Sequence, residues 1–83
     1  MMDLARTPSQ IGNLIRRTRK KRGLSQSQLG ERSGLRQETI SLIETGHSAA
    51  RLDTILAVLA ALELEMRIGP RTRGAAEDLE AIF

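Results

Sequence analysis

Apolar residues recur at helical spacing through most of this 83-residue chain, and the period changes once, near its end. Ile11, Leu14 and Ile15 form one stripe, Leu29 turns inward from a second short helix, and Leu35, Ile40 and Ile43 form a third. Leu52, Ile55, Leu56, Leu59 and Leu62 form a fourth. Polar starts and glycine stops frame these stripes. Thr7 is placed to cap a first helix, Pro8 suits its first position because its missing N–H would have had no partner, and Gln10 completes a capping box. Gly23 ends it. Ser25 and Gln28 repeat the same spacing, Gly34 stops the second helix and Gly46 the third. Two short helices meeting at Gly34, within Leu24 to Gly46, make a helix-turn-helix.

The fourth helical stretch, LDTILAVLAALEL, has no polar side, because Ala57, Val58, Ala60 and Ala61 fill the positions between its leucines. A helix apolar all round should be buried all round, and a chain this short cannot cover it alone. Residues 63–68 then alternate strictly, with Leu64, Met66 and Ile68 on one face and charges on the other, before Gly69-Pro70. That is a strand pattern without a second strand, so its edges call for a second copy of the chain. A two-fold axis at Met66 sets Glu65 against the mate's Arg67 and Leu64 against Ile68, whereas an axis at Glu65 opposes two carboxylates. The expected dimer surface is Val58, Ala61, Leu62, Leu64, Met66 and Ile68. The fold expectation is an all-α domain of four or five helices over residues 7–68, ending in a β-strand at 63–68 that pairs with its copy. A disordered stretch at 1–6 and a flexible tail at 69–83 flank it.

Composition removes other classes. With no cysteine and a single histidine, His47, disulfides are excluded and a metal site nearly so. No apolar run approaches the roughly 18 residues of a membrane span, and MMDLARTPSQ lacks an apolar signal core, so a cytoplasmic protein is expected. No nucleophile and base are placed together and no glycine loop for phosphate is present, so neither an enzyme nor a cofactor is expected.

The net charge of +3 hides an asymmetry. Residues 1–51 carry ten Lys/Arg against four Asp/Glu, and residues 52–83 carry three against six. The first part suits a polyanion and the second does not. Within the basic part, the amides at the start of the second helix, with Ser25 and Gln26, suit a phosphate oxygen. On the third helix Arg36 and Gln37 are the best base readers, since arginine matches guanine and glutamine matches adenine. Glu38 can accept from a cytosine amine, and Thr39 and Ser41 can reach bases or backbone. His47, Arg51 and Arg16 are candidates for phosphate contact.

SQSQLGERSGLRQETISLIETG resembles the helix-turn-helix of the phage-repressor/Xre family: a polar cap and Gln opening the second helix, Gly in the turn, Thr-Ile-Ser in the recognition helix, and Glu before the terminal Gly. That resemblance implies a pair between an arginine late in the first helix and the glutamate near the end of the recognition helix, here Arg19 and Glu44. The sequence departs from the family at Arg36, where a Ser or Thr cap is usual. GLRQETISLIETG, ARLDTILAVLAAL and LELEMRI together look like the HipB-type antitoxins, which dimerise through a C-terminal strand, repress their own operon and bind a HipA-type serine/threonine kinase toxin. By that likeness Arg36, Gln37 and Ser41 fall on base-contacting positions and Gln26 on a backbone-contacting one. The implied partners are double-stranded DNA with an inverted repeat, a second copy of the chain and such a kinase. A stand-alone regulator and a pure protein-interaction module are the competing readings; the second leaves Arg36, Gln37 and the polar caps on the basic half unexplained. In the tail, Leu79, Ile82 and Phe83 are spaced to share one face of a short helix that could dock on a partner.

Overall fold

Four helices follow one another through residues 4–47 and 49–71, the part of the chain that the computed structural model describes. They are α1 (Pro8–Lys21), α2 (Gln26–Ser33), α3 (Gln37–Glu44) and α4 (Leu52–Ala61). α3 packs against α1 and α2, and α4 packs on α2. Ile15, Leu24, Leu29, Ile40, Ile43, Val58, Leu59 and Leu62 are buried between them, with Ile11, Leu35, Ala50, Ile55, Ala61 and Leu64 packed on the outside of that cluster. Each fully buried aliphatic side chain contributes about 1.5–3 kcal/mol relative to exposure, so this cluster fixes where α3 sits. α1 comes close to α3 through Gly12: a Cβ there would stand 2.7 Å from the backbone oxygen of Glu44.

The helix starts follow the local sequence. Thr7 Oγ1 accepts from the Gln10 amide at 3.1 Å, while the Gln10 side chain reaches one residue further back, to the Arg6 amide, instead of closing the expected box. The Ser25–Gln28 box is complete: Gln28 Oε1 accepts from the Ser25 amide at 2.8 Å and Ser25 Oγ from the Gln28 amide at 3.0 Å. The helix ends share one device. At each, a residue in the left-handed region lets two consecutive amides turn back to the last carbonyls, as Gly23 N and Leu24 N do to Lys20 O and Arg19 O. Glycine fills that position at 23, 34 and 46, but after α4 it is Glu63, with φ 58°. Glu63 N donates to Ala60 O at 3.0 Å and Leu64 N to Leu59 O at 2.8 Å.

This turn corrects the length of the fourth helix, which stops at Ala61 instead of running on through Leu64. Its buried side differs too. Val58, Leu59 and Leu62 are buried and Ile55 is partly so, while Leu52 and Leu56 face outward. Where every position is apolar, the neighbour chooses the face, and here that neighbour is α2. Val58 and Leu62 therefore belong to the chain's own core and are withdrawn from the expected dimer surface; Leu52, Leu56, Met66 and Ile68 are the large apolar residues exposed along this part of the chain. Among the described residues no strand forms, and residues 64–70 carry no regular structure. A single copy offers residues 63–68 no neighbour to complete a ladder. No described helix is long and apolar enough to cross a membrane. Leu79, Ile82 and Phe83 lie outside the described residues.

Candidate nucleic-acid interface

A buried ion pair holds the third helix to the first. Arg19, on the inner face of α1, donates through Nε to Glu44 Oε2 at 2.6 Å and through Nη2 to Glu44 Oε1 at 3.0 Å. Its Nη1 donates to Leu24 O at 2.8 Å, which ties the α1–α2 turn to the same guanidinium. Hydrogen bonding to Glu44 raises the Arg19 pKa above its ordinary value, against the opposing effect of burial. The guanidinium is therefore charged wherever the fold exists, and the expected pairing of Arg19 with Glu44 is present.

From this pair a chain of hydrogen bonds climbs to the surface. Gln26 Nε2 donates to Glu44 Oε1 at 3.2 Å, and Gln26 Oε1 accepts from Gln37 Nε2 at 2.8 Å. Gln26 is partly buried and Gln37 exposed, so a residue at the first position of α3 is tied, through a residue at the first position of α2, to the interior. Sequence reasoning gave Gln26 a backbone role and Gln37 a base-reading role and did not foresee that each holds the other. One signal was available: Gln37 and Glu44 are seven residues apart, two helical turns, and so share an edge of α3.

Arg36 is the N-cap of α3, with no side-chain cap hydrogen bond. Arginine has no acceptor to offer the free amides of the first turn, so the start of α3 is open to an anion. Arg36, Glu38 and Leu42 are exposed, and Thr39 and Ser41 are partly buried. Ser25 is exposed at the start of α2, where its hydroxyl already accepts from Gln28. His47 is exposed just past α3, with Nδ1 3.4 Å from Thr45 Oγ1. Arg51 pairs with Asp53 at 3.2 Å, both largely exposed. Arg16 is exposed on α1, where with Arg17 and Lys20 it edges a shallow depression lined by α1 residues and Leu4. Among the described residues Arg16, Arg17, Lys20, Lys21, Arg32 and Arg36 enter no ion pair, so the basic part of the chain presents uncompensated charge. No described group of His, Asp or Glu could hold a metal ion.

Two short helices crossing at a glycine turn, the second presenting arginine and glutamine from an open N-terminus, define a DNA-binding helix-turn-helix. The helix-turn-helix family model matches residues 15–68. The chain belongs to this family, in its Xre type, and within it is of the HipB kind. It is 31% identical over 74 residues to antitoxin HipB of Escherichia coli K12, spanning 89% of this chain and 84% of that protein. HipB in a HipA-HipB-O2-O3 complex superposes with a TM-score of 0.79 at 30% identity, over 86% of this chain and 100% of that one. The restriction-modification controller protein C.AhdI of Aeromonas hydrophila matches with a TM-score of 0.66 at 33% identity, over 70% and 88%. These relatives are an antitoxin and a controller protein, and the chain belongs with them and not with enzymes.

Proposed function

We propose that the chain is a homodimeric, sequence-specific DNA-binding repressor and the antitoxin of a HipBA-like toxin–antitoxin system. In this reading it represses its own operon and neutralises a HipA-type serine/threonine kinase toxin. The observation that carries the DNA half is the tie from Gln37 through Gln26 to Glu44: a reading residue held in place before DNA arrives loses less side-chain entropy on binding. Arg36, Gln37 and Ser41 read bases, with Glu38 at the edge. Ser25, Gln26, Thr39, His47 and Arg51 meet the sugar-phosphate backbone, and Arg16 adds general attraction. The toxin half is supported by the likeness to HipB, solved together with HipA.

Two copies meet through residues 63–68, as an antiparallel pair of strands centred on Met66, with Ala61, Leu64 and Ile68 beside it. Glu65 and Arg67 pair within one chain at 3.2 Å, both exposed, and the same two charges face one another across the two-fold axis. The recognition helices then enter successive major grooves about 34 Å apart, and the operator is an inverted repeat. The test is titration of the purified chain against the duplex upstream of its own gene at about 0.15 M salt, with capture of the kinase encoded beside it. Specific, salt-sensitive binding and capture are expected. Capture without specific DNA binding would favour an interaction module, and DNA binding without a kinase neighbour a stand-alone regulator.

A further inference from the structure

We infer that the buried Arg19–Glu44 pair sets the base preference of Gln37, by dictating which way two glutamine amides point. This rests on the reading of Gln37 as a base-contacting residue.

The positions of the donor hydrogens fix both amides. A carboxylate in an ion pair only accepts. Glu44 Oε2 is occupied by Arg19 Nε, and Oε1 receives both Arg19 Nη2 and Gln26 Nε2. Gln26 must turn its NH2 toward that oxygen, because its own carbonyl there would set two acceptors face to face. With its nitrogen inward, its Oε1 faces Gln37, and Gln37 in turn must present its NH2 to that oxygen. One of the two N–H groups of Gln37 is thereby used. What Gln37 offers outward is one carbonyl oxygen and one N–H, side by side and in a fixed order.

That pair matches one purine edge. Adenine shows an acceptor at N7 and a donor at N6 in the major groove, whereas guanine shows acceptors at both N7 and O6. The held amide makes two bonds to adenine; on guanine its carbonyl oxygen would confront O6. An untethered glutamine could instead swing its NH2 toward guanine and recover part of the loss. The side chains of Glu44 and Arg19 are 2% and 10% exposed, so neither is a contact residue. Both are positioning residues that act on specificity through Gln26.

The experiment uses the full chain. Binding sites are selected from a randomised duplex library, and the base pair that Gln37→Ala makes indifferent is identified. Adenine and guanine are then compared there for the wild type, for Gln26→Met, which leaves the ion pair intact, and for the double variant Arg19→Met with Glu44→Met, which replaces the pair by apolar side chains while keeping both glutamines. The wild type should prefer adenine, and both variants should lose about tenfold of that discrimination while preferences at other base pairs stay unchanged. Wild-type discrimination retained in either folded variant overturns the inference, as does guanine in the wild-type site or an equal flattening at every position. If the double variant lacks a cooperative melt, Gln26→Met alone decides by the same criterion. Failure of the wild type to select any site would instead show as no consensus, and would sink the DNA-reading proposal on which this one rests.

Discussion

Arg19 Nε lies 2.6 Å from Glu44 Oε2, with both side chains withdrawn from solvent. Removing one partner of such a pair leaves the other charge buried and alone, whereas removing both need not cost stability. Arg19→Ala should therefore lower unfolding free energy by about 3–5 kcal/mol, and the paired change to methionines should stay within about 1 kcal/mol of the wild type or exceed it. Denaturant unfolding at fixed chain concentration decides; equal losses in the two variants would contradict this account of the pair. The raised Arg19 pKa adds a sign. Its stabilisation is fully present below the unfolded-state value and fades only as pH rises past the still higher folded one, so this guanidinium contributes no slope to stability from neutral to mildly alkaline pH.

Gly12 lets α1 approach the backbone of α3 closely. A Cβ at this position would press on the backbone oxygens of Ile43 and Glu44, and these are backbone atoms of α3 that no side-chain rotation can move aside. Gly12→Ala should cost about 1–3 kcal/mol, as overpacking does, even though alanine is the better helix former. A gain in stability would mean that α1 does not sit this close to α3.

Glu63 holds a left-handed conformation that glycine adopts without strain, and its side chain pairs with Arg22 at 3.3 Å, both exposed. Left-handed backbone costs a side-chain-bearing residue roughly 1–2 kcal/mol, and an exposed pair returns about 0–1 kcal/mol. Glu63→Gly should raise the melting temperature and Glu63→Val lower it. Equal effects of the two, or the reverse order, would show that the turn after Ala61 is not built this way.

Much of this architecture was legible because helix ends are written in local residues. Thr7, Ser25, Gly23, Gly34 and Gly46 name their roles by chemistry, and the apolar stripes of the first three helices pick one side each. The fourth helix was not legible in the same way. With Leu52, Leu56, Val58 and Leu62 all apolar, period alone could not tell which side faces α2, and Glu63 hides a helix end that glycine would have announced. The pairing of Arg19 with Glu44 came through family resemblance and not through spacing. The bond between Gln26 and Gln37 depends on the crossing of two helices, which neither local sequence contains. A strand at 63–68 depends on a second chain.

For that second chain, Met66 is the pivot. Proline has no amide to donate and is tolerated poorly in a paired strand. Met66→Pro should shift the chain to monomer in sedimentation equilibrium and weaken operator binding, leaving the helical circular-dichroism signal in place. An unaltered dimer would move the interface elsewhere, to the exposed Leu52 and Leu56.

Gln37 as a base reader is tested most directly by one comparison: the affinities of the wild type and of Gln37→Ala for a selected operator and for random duplex, alongside Arg16→Ala as a reference for backbone attraction. Gln37→Ala should lose about 1–3 kcal/mol on the operator, with preference relaxed at one base pair and little change on random DNA, while any effect of Arg16→Ala should fall on both duplexes alike. Equal loss on operator and random DNA for Gln37→Ala would contradict its assignment and, with it, the reading of α3 as the sequence-specific element.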